Sequence, residues 1–274
     1  MNSAQPIYFD WSATSMKKPD SVKDAVVDAM EQTASAARGS YGPGLAAGRH
    51  IFQTRLAIQQ FFNGPNYRHV IFTKHVTEAI NIFLQGYLRS GDHVITDIQA
   101  HNAVLRPLYG LRSRGVCFSV LPGDEAGRVQ LSDLVELAKP ETRVVVLNHA
   151  SNVTGNVLDI ATVGHWCRQQ GIILVVDVAQ SAGYIPIDMK ESCIDVVCFT
   201  GHKGLYGPQG TGGFVLGDVF ESRQVSEDSD FDPTADILPL MSGGSGIHSF
   251  LETMPQELPD RLEPGTANVP GIAG

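Results

Sequence analysis

Lys203 lies in FTGHKGLYGPQGTGG, residues 199–213, between His202 and Gly204. The strand-like run DVVCFT precedes it and a glycine-rich turn follows, a setting that suits neither a helix nor a solvated surface. A buried lysine shifts its pKa readily, and its free amine attacks carbonyl carbon to form a Schiff base. A lone lysine in a loop is more often an ordinary surface residue. The residues around it must therefore decide.

Asp177 closes the apolar run GIILVVD, 26 positions before Lys203. A carboxylate at a strand end caps a turn or ligates a metal; it also holds the proton on a pyridinium nitrogen and so makes the ring an electron sink. Thr77 stands where FTKHV meets TEAINIFLQGYL, as a plain helix N-cap or as part of a phosphate site built on free backbone N–H groups. Thr200 and His202 offer further donors at a neighbouring strand end. His101, in QAHNAVLRP, is either a hydrogen-bonded structural residue or an imidazole that stacks on a planar ring and moves protons. Each piece alone is weak. The order phosphate end, ring carboxylate, lysine points to pyridoxal 5'-phosphate (PLP).

Such groups must be held by a regular scaffold. Strand-like runs alternate with helical stretches between residues 68 and 216: HVIFT, HVITD, CFSVL, RVVVLN, ILVVD, DVVCFT and GFVLG are the strands. Continuous apolar strands separated by helices predict an α/β fold, a mostly parallel mixed sheet flanked by helices on both faces. Ligands of such sheets collect at the carboxyl ends of the strands, where Lys74 to Thr77, His101, Asn148 to Asn152, Asp177 to Gln180 and Thr200 to Lys203 fall. Before the sheet, DSVKDAVVDAMEQTASAAR and AAGRHIFQTRLAIQQFF read as amphipathic helices joined by GSYGPG. After it, SRQVSEDSDFDPTAD reads as an exposed excursion, and EPGTANVPGIAG as an end that is cut, with no capping helix.

At 274 residues and 43% apolar content the chain can bury a sizeable core, and its net charge of −9 is spread without long runs of one sign. Nucleic acid and anionic membrane are therefore not expected partners. No targeting segment or membrane span is visible, so a cytoplasmic location is the default. Cys117, Cys167, Cys193 and Cys198 lack metal spacing, and Cys117, Cys167 and Cys198 read as small core residues.

The motifs YFDWSATS, TKHVTEAIN, AHNAVLRPL, NHASNVTG, VDVAQSAG, FTGHKGLYGPQGTGG and EPGTANVPGIAG, in that order, resemble the class V aminotransferase group of fold-type I PLP enzymes, and most closely the cysteine desulfurase-like family. The resemblance implies that Lys203 carries the Schiff base, Asp177 pairs with the pyridine nitrogen, and Gln180 donates to the ring hydroxyl, with Asn152 beside it. It implies that His101 stacks on the ring and exchanges protons, and that Val76 and Thr77, aided by Thr200 and His202, bind phosphate. It also implies a homodimer in which Thr266 of EPGT crosses to the partner's phosphate.

By the same resemblance, residues 1–20 form an amino-terminal segment, 21–265 the PLP-binding large domain, and 266–274 the start of a link to a small carboxy-terminal domain. In the family that domain carries the arginine for the substrate carboxylate and the cysteine that accepts sulfur. The implied reaction takes sulfur from L-cysteine, leaves L-alanine, and passes the sulfur to an acceptor protein. The alternatives are a class V aminotransferase or lyase acting on another amino acid, and a truncated PLP-binding domain without turnover. His75 departs from the glycine or asparagine of many relatives, which matters if the position needs positive φ.

Overall fold

The computed structural model describes residues 7–36, 41–220 and 237–274. Two helices come first, α1 (Asp20–Gln32) and α2 (Gly42–Phe61), followed by strand β1 (Val70–Thr73), helix α3 (Val76–Tyr87), β2 (His93–Asp97), α4 (Asn102–Leu111) and β3 (Cys117–Leu121). Helix α5 (Leu131–Leu137), β4 (Thr142–Asn148), α6 (Ile160–Gln170), β5 (Ile173–Asp177), β6 (Val196–Thr200), β7 (Gly212–Leu216) and α7 (Val269–Ala273) complete the order. The seven strands form one sheet, β1-β7-β6-β5-β4-β2-β3. All pairs are parallel except the two that β7 makes with β1 and β6.

The apolar runs form strands because both faces of the sheet are covered. Side chains alternate across a strand, so Val144, Val146, Val175, Val196, Cys198 and Phe214 pack with α3 and α4 on one face. Val145, Leu147, Leu174, Val176, Val197, Phe199 and Val215 pack on the other face with Phe62, Ile160 and Cys167. Cys167 and Cys198 are core residues as expected, and burial pushes the Cys167 thiol up to about 12. Cys117 is not: it is exposed, because β3 is an edge strand covered less completely than its neighbours.

Other boundaries also differ from the sequence reading. Helix α1 stops at Gln32 rather than running on to Arg38, and α2 begins at Gly42, so the Gly-Pro-Gly of the expected turn forms its first residues, with proline where a missing N–H costs nothing. The acidic stretch after β7 lies outside the described residues. The final motif does hold a short helix, α7, with Asn268 as its cap: the Asn268 side chain accepts from the Gly271 N–H at 3.1 Å. Among the described residues, no helix is long and apolar enough to cross a membrane.

Candidate active site

The carboxyl ends of β1, β5 and β6, with the loops that follow them, supply the chemistry. Residue His75, φ −172°, caps α3 with its ring: Nδ1 accepts from the Glu78 N–H at 3.1 Å, and the Glu78 carboxylate reaches back to the Lys74 N–H at 2.7 Å. This is a reciprocal cap. His75 is the N-cap, which removes the plain-cap alternative for Thr77, and its backbone is extended, so the departure from glycine carries no strain. The N–H groups of Val76 and Thr77 in the first turn have no acceptor within the helix, and the Thr77 side chain is exposed beside them. Gly212 lets this helix end reach the sheet: a Cβ there would lie 2.9 Å from the His75 Cα.

Asp177 ends β5 and is 2% exposed. One of its oxygens accepts from the Ala179 N–H at 2.9 Å, while its register partners are Asn148 on β4 and Cys198 on β6. Burial pushes its carboxyl above the ordinary range; the Ala179 N–H first, then Lys203 and His101, pull it back, and Asp97 pushes the same way as burial. Lys203 responds in the opposite sense. Burial holds its ammonium below the usual lysine range, and Asp177 opposes that shift. The lysine, the histidine and the carboxylate therefore share one electrostatic neighbourhood.

His101 is exposed and caps α4, its Nδ1 accepting from the Ala103 N–H at 3.1 Å. That bond leaves the proton of the neutral ring on Nε2, free to be passed on. His202 is half-buried; burial first, then the charges of Lys203, Lys18 and His75, keep its ring below the ordinary histidine range. Lys203 thus acts on both Asp177 and His202, and His75 at the start of α3 acts on His202 too, beside a helix end whose free N–H groups favour an anion.

The remaining expected residues are placed less uniformly. Thr200 is buried and its hydroxyl is 3.4 Å from the Thr211 carbonyl, a long contact that leaves it free to donate elsewhere. Gln180 spends one amide proton on the Ser12 carbonyl at 3.0 Å. Asn152 is exposed in the turn after β4, where Ser151 Oγ accepts from the Val153 and Thr154 N–H groups. Thr266 is exposed and follows Gly265, whose φ of 98° requires glycine. Among the described residues, no group of three or more His, Cys, Asp or Glu is arranged to hold a metal ion.

The amino-terminal segment is the part whose role the sequence did not disclose. The His202 carbonyl accepts from the Ser15 N–H at 3.0 Å, Ser15 Oγ at 2.9 Å and Lys18 Nζ at 3.1 Å, with Thr14 Oγ1 at 3.1 Å. Trp11 meets Tyr206 edge-on at 6.4 Å between centroids. The density of hydroxyls and lysines in SATSMKK, ahead of any helical period, was the available signal.

The arrangement gathers an amine, a buried carboxylate, two imidazoles and an open helix N-terminus at the carboxyl edge of the sheet. The model of the family "Aminotransferase class-V" matches residues 7–274. The chain is similar to the "Probable cysteine desulfurase" of Methanothermobacter thermautotrophicus, 31% identical over 271 residues, covering 98% of this chain and 64% of that protein. It is similar to the cysteine desulfurase CsdA of Escherichia coli, 31% identical over 280 residues, covering 98% of this chain and 65% of that protein. The apo structure of a cysteine desulfurase from Thermococcus onnurineus NA1 superposes with a TM-score of 0.84 at 27% identity, over 97% of this chain and 64% of that one. The chain thus spans about two thirds of the length of these relatives, and within that span it belongs to the class-V aminotransferase family.

Proposed function

We propose that the chain binds PLP through Lys203 and forms the cofactor-binding part of an enzyme that removes sulfur from L-cysteine, leaving L-alanine and protein-bound sulfur. The observation that carries this reading is a half-buried amine and a buried carboxylate that act on each other electrostatically, beside an open helix N-terminus. The donor set fits the group. The N–H groups of Val76 and Thr77, the Thr77 and Thr200 hydroxyls and the His202 ring would take the phosphate, and Asp177 would hold the ring nitrogen. Gln180 and Asn152 would stand at the ring hydroxyl and His101 over the ring face. When bound, PLP supplies an aldehyde that captures amines and a ring that accepts electron pairs.

The chain's own residues do the rest. Burial favours the neutral Lys203 amine, which is the nucleophile. Asp177 keeps a proton on the ring nitrogen, and His101 gives or takes one at Nε2. The cysteine substrate is supported by the similarity to cysteine desulfurases. The same reading makes the protein a cytoplasmic homodimer, with Thr266 reaching the partner's phosphate site, residues 21–265 as its large domain and a sulfur-acceptor protein as its client.

Incubation with PLP, reduction with borohydride and peptide mapping tests the reading: one reduced adduct is expected, on Lys203. Absence of an adduct, or one spread over surface lysines, overturns it. Release of alanine from L-cysteine, but not of keto acid from other amino acids, separates desulfuration from transamination.

A further inference from the structure

The hydrogen bonds around His202 present a proton-counting problem. Thr14 Oγ1 lies 3.1 Å from the His202 carbonyl and 2.9 Å from His202 Nδ1, and a hydroxyl has one proton to give. If that proton goes to the carbonyl, Thr14 accepts from an Nδ1–H, and the neutral ring is left with a bare Nε2. If it goes to Nδ1, the ring proton sits on Nε2, where it can be donated to an anion. The carbonyl does not need Thr14. It already accepts from the Ser15 N–H, from Ser15 Oγ and from Lys18 Nζ, and Lys18 also donates to Ser15 Oγ.

We propose that Thr14, released by Ser15 and Lys18 from serving the His202 carbonyl, donates to His202 Nδ1 and so fixes the ring as an Nε2–H donor toward the phosphate. Thr14 is a positioning residue in this scheme, acting through His202, and Ser15 and Lys18 set the direction of its proton. Ser15 and Lys18 hold the carbonyl of the peptide that joins His202 to Lys203, so the amino-terminal segment fixes the base of the lysine as well. The neutral ring on which the scheme depends is kept so by burial and by the charges of Lys203, Lys18 and His75.

This inference rests on the PLP reading, and two aldehydes separate them. Binding of PLP and of pyridoxal, which lacks the phosphate, is measured for the unaltered chain, Thr14→Val and Thr14→Ser. Thr14→Val is expected to weaken PLP about tenfold, the size of one lost hydrogen bond to a charged acceptor, and to leave pyridoxal unchanged. Thr14→Ser, which keeps the hydroxyl, restores PLP binding. Equal loss for both aldehydes, or none for either, overturns the tautomer role while leaving Lys203 as the PLP site. An unaltered chain that takes up neither aldehyde overturns the cofactor reading and this inference together. Should Thr14→Val not fold, nitrogen-15 NMR of His202 in the unaltered, PLP-loaded chain decides: an Nε2–H tautomer supports the assignment and an Nδ1–H tautomer ends it.

Discussion

Asp177 and Lys203 oppose each other's response to burial: each is driven toward its neutral form by loss of water, and each is drawn back toward its charged form by the other. They reach this relation from β5, where Asp177 is the last residue, and from the loop three positions beyond the end of β6. The parallel pairing of those strands brings the two groups to the same edge of the sheet, although 26 residues separate them in the chain.

Lys203 should react at a lower pH than an ordinary lysine. Only the neutral amine attacks an aldehyde, so the rate of adduct formation should rise with pH and level off below the ordinary lysine value of 10.5. Asp177 raises the Lys203 pKa, so Asp177→Asn should move the midpoint lower still. Absorbance stopped-flow against pH measures it; a midpoint that moves up in Asp177→Asn contradicts the pairing.

The same substitution should make the cofactor-free protein more stable. Asp177 has a native pKa raised above its unfolded value, so its ionisation opposes folding. The penalty is absent at low pH, where both states are protonated, appears as pH rises through the unfolded value, and is complete above the native one. At neutral pH Asp177→Asn should gain on the order of 1 kcal/mol, a rise in Tm of roughly 2–4 °C, while losing tight PLP binding. Thermal melts at neutral pH and near pH 3 test the sign: the gain should be confined to the higher pH.

These strand-end groups were legible in the sequence because parallel strands announce themselves as apolar runs and ligands collect at their carboxyl ends. Asp177 ends β5, and Lys203, His101 and Thr77 follow the ends of β6, β2 and β1, as that rule expects of candidate residues. Cys117 was misjudged because an apolar run does not reveal which strand will lie at the sheet edge. The cap of α3 is not legible, because threonine is the commoner capping residue and Thr77 offers itself for that place, whereas the imidazole of His75 takes it. The hold of Thr14, Ser15 and Lys18 on His202 spans some 184 to 188 positions and leaves no local period to read.

The loop carrying Lys203 should tolerate no side chain at Gly204. A Cβ there would lie 2.3 Å from the Ala182 carbonyl oxygen, and one on Gly183, φ 87°, would lie 2.3 Å from the Gly204 carbonyl oxygen. The obstacle in each case is backbone, so relief requires the turn after Asp177 and the turn after Lys203 to part. Gly204→Ala should cost about 2–3 kcal/mol by overpacking and depress adduct formation on Lys203. Gly48→Ala, on α2 with nothing within 4 Å of the new methyl, should instead gain up to about 1 kcal/mol. Urea titrations of the two variants, read with PLP uptake, separate a strained loop from a general intolerance of substitution.

The carboxy-terminal motif is tied down by a buried ion pair whose behaviour can be forecast. Arg55 on α2 donates to the Val70 carbonyl and, through both terminal nitrogens, to the Glu263 carboxylate; that carboxylate also accepts from the Phe72 N–H, and the guanidinium lies 4.6 Å over the Phe72 ring. Side-chain exposures of 8% for Arg55 and 17% for Glu263 leave water little room to replace a lost partner. Glu263→Ala should therefore cost about 3–5 kcal/mol, chiefly by stranding the Arg55 charge. The double variant Arg55→Met with Glu263→Gln removes that charge and keeps an acceptor for Phe72, so it should recover a large part of the loss. Urea unfolding with an unchanged m-value measures both. Equal losses in the single and double variants would show that the cost lies in the segment leading to Thr266, released from β1, rather than in an unpaired guanidinium.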